Sequence, residues 1–170
     1  MYNFFLLNSY LLLLSMFWGP QSITTQPTDS KPGAENKTEL AEVVFHSFRM
    51  NDFSMLSTYL PGENELAYLK KKSPQSKKDF YATLNSDKLK SNAEENFKTI
   101  NKKGIEKEIN WSTIELLDQQ ENKLNDTNIN DYYKVLLLLQ DQQGKKMNVE
   151  FETIKIKGKW FLLEGLMDGK

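Results

Sequence analysis

Four carboxylates, Glu115, Glu150, Glu152 and Glu164, stand in segments patterned like strands. A carboxylate on a strand can serve as a general acid or base when apolar surroundings move its pKa toward neutrality. Glu164 has the most apolar surroundings, between Leu162-Leu163 and Leu166. It alternates with Trp160 and Leu162, so a regular strand puts it on their face. Glu150 and Glu152 alternate with Asn148, which points them to a solvated face. The single histidine, His46, falls nearly opposite Leu40, Val43, Val44 and Phe48 on a helical wheel and reads as exposed. Tyr59, Tyr68, Tyr132 and Tyr133 offer hydroxyls that sequence does not aim. Trp111 and Trp160 suit a pocket wall, but core packing is the commoner use of a sheet tryptophan. A strand-end acid more often sits at a rim than in a catalytic centre. No catalytic, cofactor-binding or metal-binding residue is therefore assigned.

Other chemistry is excluded more firmly. The chain has no cysteine, which removes disulfides, thiolate catalysis and Cys-type zinc sites. It has no glycine-rich phosphate loop and no metal-ligand spacing, so no cofactor is expected. The net charge of −1 favours no partner. Residues 66–107 carry 11 lysines against 5 acids, yet the runs at 70–72 and 77–78 lack the interleaved aromatics that stack on bases. They read as a solvated helical face, and no nucleic-acid partner is expected. Asn36-Lys37-Thr38, Asn110-Trp111-Ser112 and Asn125-Asp126-Thr127 fit the glycosylation sequon, as chance allows in so Asn-rich a chain.

The elements that would position these residues are a sheet near the C-terminus and a helical layer before it. Three successive strands are expected at 132–140, 147–157 and 160–165, joined by Asp141-Gln142-Gln143-Gly144 and Lys157-Gly158-Lys159. The first is apolar on both faces, as a central strand is. In the second, Met147, Val149 and Phe151 give way to Ile154 and Ile156, a change of phase that predicts a bulge or bend near Thr153. Strand character is also expected over 105–118, and a long exposed loop over 119–130.

Upstream, residues 38–50 show helical periodicity with Asn36 or Thr38 as N-cap, broken at Asn51-Asp52. Phe53, Leu56, Tyr59 and Leu60 predict a short second helix ended by Pro61-Gly62. Ser73-Pro74 predicts a helix start. Ser86 is expected to cap a helix carrying Leu89, Ala93, Phe97 and Ile100, with Gly104 as its C-terminal cap. Residues 1–22 hold an apolar run, from Phe4 to Gly19, that reads as a signal peptide or N-terminal anchor, although no basic residue precedes Lys31. Residues 23–37 read as a disordered linker. Residues 38–168 read as one α+β domain of helices packed on a strongly bent antiparallel sheet, in an exported chain: periplasmic, secreted or N-terminally membrane-anchored.

The order Phe45, Asn51-Asp52-Phe53, Leu56, Tyr59-Leu60-Pro61, then Ile109-Asn110-Trp111, then Ile154 through Leu162 resembles the nuclear transport factor 2-like (cystatin-like) superfamily of cone-shaped folds. More narrowly it resembles the small secreted bacterial members. The resemblance implies a pocket between helices and the concave sheet face, used by some members for acid–base chemistry and by many for binding alone, often as dimers. The fold alone does not decide between these uses; with no inward-facing histidine, the reading taken is a non-enzymatic module that binds a small apolar ligand or a protein partner. The alternatives are a pocket enzyme of isomerase, dehydratase or hydrolase type, and an oligomerisation domain forming a homodimer through the outer sheet face at Leu136 and Leu138.

Overall fold

The structure, a computed structural model, describes residues 32–73, 75–124 and 131–169. The signal peptide or anchor expected at 1–22, the first part of the expected linker, Pro74 and the 125–130 sequon loop lie outside the described residues. Helices precede a four-stranded antiparallel sheet of order β1-β2-β3-β4. The strands are β1 (Glu115–Lys123), β2 (Tyr132–Gln140), β3 (Lys146–Ile156) and β4 (Lys159–Asp168). The helices are α1 (Lys37–Met50), α2 (Glu63–Lys72), α3 (Gln75–Thr83) and α4 (Ser86–Glu106). The α+β class is as the sequence predicts.

Local chemistry sets the helix ends. The Asn36 side chain accepts from the Glu39 backbone N–H at 2.8 Å, while the Glu39 carboxylate accepts from the Glu35 backbone N–H at 2.8 Å. Asn51 closes α1 in the left-handed region (φ 51°), and Asp52 starts a 3-10 helix, Phe53–Tyr59. Residues 32–36, the end of the expected linker, are ordered instead. Ala34 is buried and pairs as an isolated bridge with Trp160 on β4. Asn85, rather than Ser86, caps α4; Ser86 donates to the Glu63 carboxylate through both its backbone N–H and its hydroxyl. Those two bonds, the hydroxyl's first, hold Glu63 below the ordinary carboxylate pKa. Ser73 closes α2 through a hydrogen bond to the Leu69 carbonyl, and α3 begins just after the Ser73-Pro74 pair, at Gln75.

Gly104 does not end α4, which runs on to Glu106; the left-handed residue is Glu108 (φ 58°). Gly104 is glycine because the Trp111 ring lies against it. A Cβ built there would meet Trp111 Cζ2 at 2.3 Å. Strand character expected over 105–118 holds only from Glu115, where β1 begins, because Trp111–Thr113 is a 3-10 turn. β1 then continues through the expected loop to Lys123, paired to Tyr133. It is an edge strand with little burial, so its sequence carries no apolar alternation to betray it.

The phase change in β3 has a different cause from the one expected. β3 pairs with β2 without a register shift from Lys146 to Ile154. Its apolar residues therefore do change faces. Met147, Val149 and Phe151 join Val135, Leu137 and Leu139 in a core with Leu40, Val44 and Phe48 of α1 and Phe97 and Ile100 of α4. Ile154 and Ile156 join a second core on the other face, with Phe161, Leu163, Leu66 and Leu69 of α2 and Tyr81 of α3. The irregularity does fall beside Thr153, but the extra residues are on β4. Glu152 pairs with Glu164 while Thr153 pairs with Leu162, and Glu150 pairs with Met167.

Turn residues match their geometry. Asp141 is buried at the β2–β3 turn and accepts from the Gln143, Lys145 and Asn110 backbone N–H groups at 2.9, 3.0 and 3.1 Å. Burial works against its charge, but these donors prevail and its pKa is lowered. Lys157 and Gly158, with φ of 50° and 89°, form the β3–β4 turn.

Candidate functional site

The interval between α1 and the sheet is filled by rings. Phe48 stacks on Phe97 at 4.6 Å and on Trp111 at 5.3 Å, and Phe48 has no exposure. Trp111 Nε1 donates to the Asn101 carbonyl at 3.3 Å. Trp160 is buried edge-on to Tyr133, with ring centroids 5.7 Å apart. Both tryptophans thus serve packing. His46 is exposed, as its wheel position predicts.

A groove of about 350 Å³ lies instead where α4 crosses β4. From α4 it takes Leu89, Asn92, Ala93 and Asn96, whose spacing of three, one and three puts them in one stripe. From β4 it takes the segment from Leu162 to Met167 that contains both irregularities; Leu60 and Glu152 complete it. The bulge shapes the site. In a regular strand Glu164 would share the face of Trp160 and Leu162, as its alternation suggests. The extra residue at Leu163 turns it to the other face, opposite Glu152. Gly165 follows with φ 80°; a Cβ there would meet Met167 Cε at 3.2 Å and Glu152 Cγ at 3.4 Å, so glycine lets the two strands close beside the acids.

Two carboxylates thus face each other across adjacent strands, an arrangement that is unfavourable when both are charged. Glu152 is half-buried and accepts a close hydrogen bond from the Tyr132 hydroxyl. Burial first, and that bond to a carboxylate second, push the Tyr132 phenol far up, so it stays a donor. Glu164 is exposed at the groove rim and makes no hydrogen bond or ion pair with a described residue. Desolvation, then the Glu152 charge, raise its pKa. No basic side chain lines the groove. Lys134, which feels Glu152, is paired with Glu150 at 2.8 Å. Glu115 is exposed at the start of β1, away from the groove. Tyr59 and Tyr68 lie outside it, as do Trp111 and Trp160. Sequence singled out Glu164 but not its pairing with Glu152, because the bulge that makes the pair leaves no residue pattern of its own.

The raised pKa has a measurable consequence. A carboxyl whose folded-state pKa exceeds its unfolded one binds its proton more tightly in the folded chain, so stability falls as pH rises through that window. From its ordinary value of 4.5 up to the raised folded value, Glu164 therefore opposes folding increasingly as it ionises. Melting temperatures taken across that range are expected to show a shallower decline with rising pH in Glu164→Gln than in the parent chain. An identical slope in the two proteins would remove Glu164 as the cause.

Among the described residues, no group of three or more His, Cys, Asp and Glu side chains is placed to hold a metal ion. Nor is any described helix long and apolar enough to cross a membrane. No family model, curated protein or solved structure matches the chain.

Proposed function

We propose that the chain is an exported, non-enzymatic module that binds a small ligand in the α4–β4 groove, built on the nuclear transport factor 2-like cone. The observation that carries this is the groove itself. It is concave, lined by leucines and by the polar side chains of Asn92, Asn96, Glu152 and Glu164 in about equal measure, and of a size that suits small molecules. The interval where that superfamily keeps its pocket is here occupied by Phe48, Phe97 and Trp111. The family assignment rests on the chain order, with a helix broken at Asn51-Asp52 and helices followed by long antiparallel strands. Export rests on the apolar run within residues 1–22, and the absence of cysteine is compatible with it.

Acid–base catalysis is the second reading, favoured by the raised pKa of Glu164 beside a tyrosine-bonded glutamate. It is the weaker one because Glu164 is exposed and a working acid of this kind is held in dry, apolar surroundings.

Asn96→Trp tests the binding reading. Asn96 is exposed on α4, so an indole there fills the groove without entering the buried stripe of Ala93, Phe97 and Ile100. Thermal-shift screening of the parent chain against a small-molecule library supplies the probes. The variant is expected to bind each of them at least ten-fold more weakly. As a surface change it should keep its own melting temperature within about 2 °C. Probes that bind the variant as tightly as the parent would put the ligand elsewhere.

A further inference from the structure

We infer that the ligand of the α4–β4 groove is a small organic cation, an ammonium group carried on an apolar body. The inference rests on the binding role proposed for this groove and adds the class of occupant. Charge complementarity selects it. Glu164 and Glu152 face each other across β4 and β3, and both border the groove. Glu164 has no partner among the described residues, and the one bond shown for the Glu152 side chain is from a neutral hydroxyl. No lining side chain is basic.

Each competing occupant meets a physical objection. An anion would be repelled by both carboxylates. A neutral apolar molecule would strip water from Glu164 and return nothing to its charge. A metal ion would find two carboxylates on opposite strands but no third ligating side chain beside them. An ammonium group answers all three. It donates to Glu164 and Glu152 at once, relieves their repulsion and makes charge-assisted hydrogen bonds. The apolar body then lies between Leu89 and Ala93 of α4 and Leu162 and Leu166 of β4. Asn92 and Asn96 supply amide oxygens and donors at the polar edge. The volume of about 350 Å³ suits one aromatic ring with a short chain, not a folded partner.

The test is calorimetric titration of the full chain at pH 7 with three probes of one shape: 2-phenylethylamine, the neutral 2-phenylethanol and the anionic 3-phenylpropionate. The amine is expected to bind at least ten-fold more tightly than either counterpart. Glu164→Gln is expected to lower amine affinity about ten-fold and to leave the alcohol unchanged. Glu164 is exposed, so this variant keeps the fold. Glu152→Gln, which leaves Tyr132 an acceptor, is expected to act in the same direction. Equal affinity for amine and alcohol, with Asn96→Trp blocking both, would overturn the cation assignment and leave the groove as a ligand site. Amine binding that neither glutamine variant weakens would overturn it as well. Absence of binding by all three probes would overturn the assignment and count against the groove reading too.

Discussion

Phe48→Ala is expected to cost about 3–5 kcal/mol of folding stability, read from urea denaturation of the parent and the variant. Phe48 has no solvent exposure and stacks on both Phe97 and Trp111, so truncation removes ring contacts with α4 and with the turn that leads into β1. The hole would lie between helix and sheet, where backbone hydrogen bonding keeps both sides from collapsing into it. Domains of this kind hold a margin of about 5–15 kcal/mol in all, so the variant should stand near the edge of folding. The size of the loss also discriminates between two views of that interval. If it were an open ligand pocket with Phe48 as a wall, truncation would cost within about 1 kcal/mol, as at solvent-facing positions.

Gly104→Ala should also destabilise, against what helix propensity alone predicts. Alanine in place of glycine inside a helix ordinarily gains about 1 kcal/mol. Gly104 lies two residues before the end of α4, where that gain would apply. The added methyl, however, would sit 2.3 Å from Trp111 Cζ2 and 2.6 Å from Cε2 and Nε1. Trp111 is buried and tied to the Asn101 carbonyl, so it cannot move aside without losing that bond and its stack on Phe48. Overpacking of this sort should outweigh the propensity gain and leave a net loss of about 1–3 kcal/mol in the same denaturation experiment. A variant more stable than the parent would mean that Gly104 is an ordinary helix glycine and that Trp111 packs elsewhere.

Gly104 also illustrates why parts of the fold were legible and others not. A glycine after a periodic helix reads as a C-cap, since local rules see only the chain on either side. Its actual partner, Trp111, is brought there by the turn after the helix. The α1 boundary was legible because Asn36, Asn51 and Asp52 act on their own neighbours. The β2 and β3 strands and the tight turn at Lys157-Gly158 were legible because apolar runs and turn residues mark them directly. β1 beyond Asp118 was hidden because an edge strand of mostly exposed side chains is held by backbone pairing. The candidate site was half legible. Glu164 stood out as an acid among leucines. Its turn toward Glu152 depends on a bulge on β4, and the phase change in β3 pointed to the right place but the wrong strand. Asn92 and Asn96 carried no signal, since exposed asparagines on a lysine-rich helix look like any solvated face.

The most direct test of the proposed groove site is methyl NMR of the full chain, labelled at the leucine, valine and alanine methyl groups and titrated with 2-phenylethylamine. Shifts are expected at Leu89, Ala93, Leu162 and Leu166, with Leu40, Val44, Val135 and Leu137 unmoved between α1 and the sheet. Shifts concentrated on Leu40, Val44, Val135 and Leu137 would contradict the groove as the binding site and return the ligand to the helix–sheet interval.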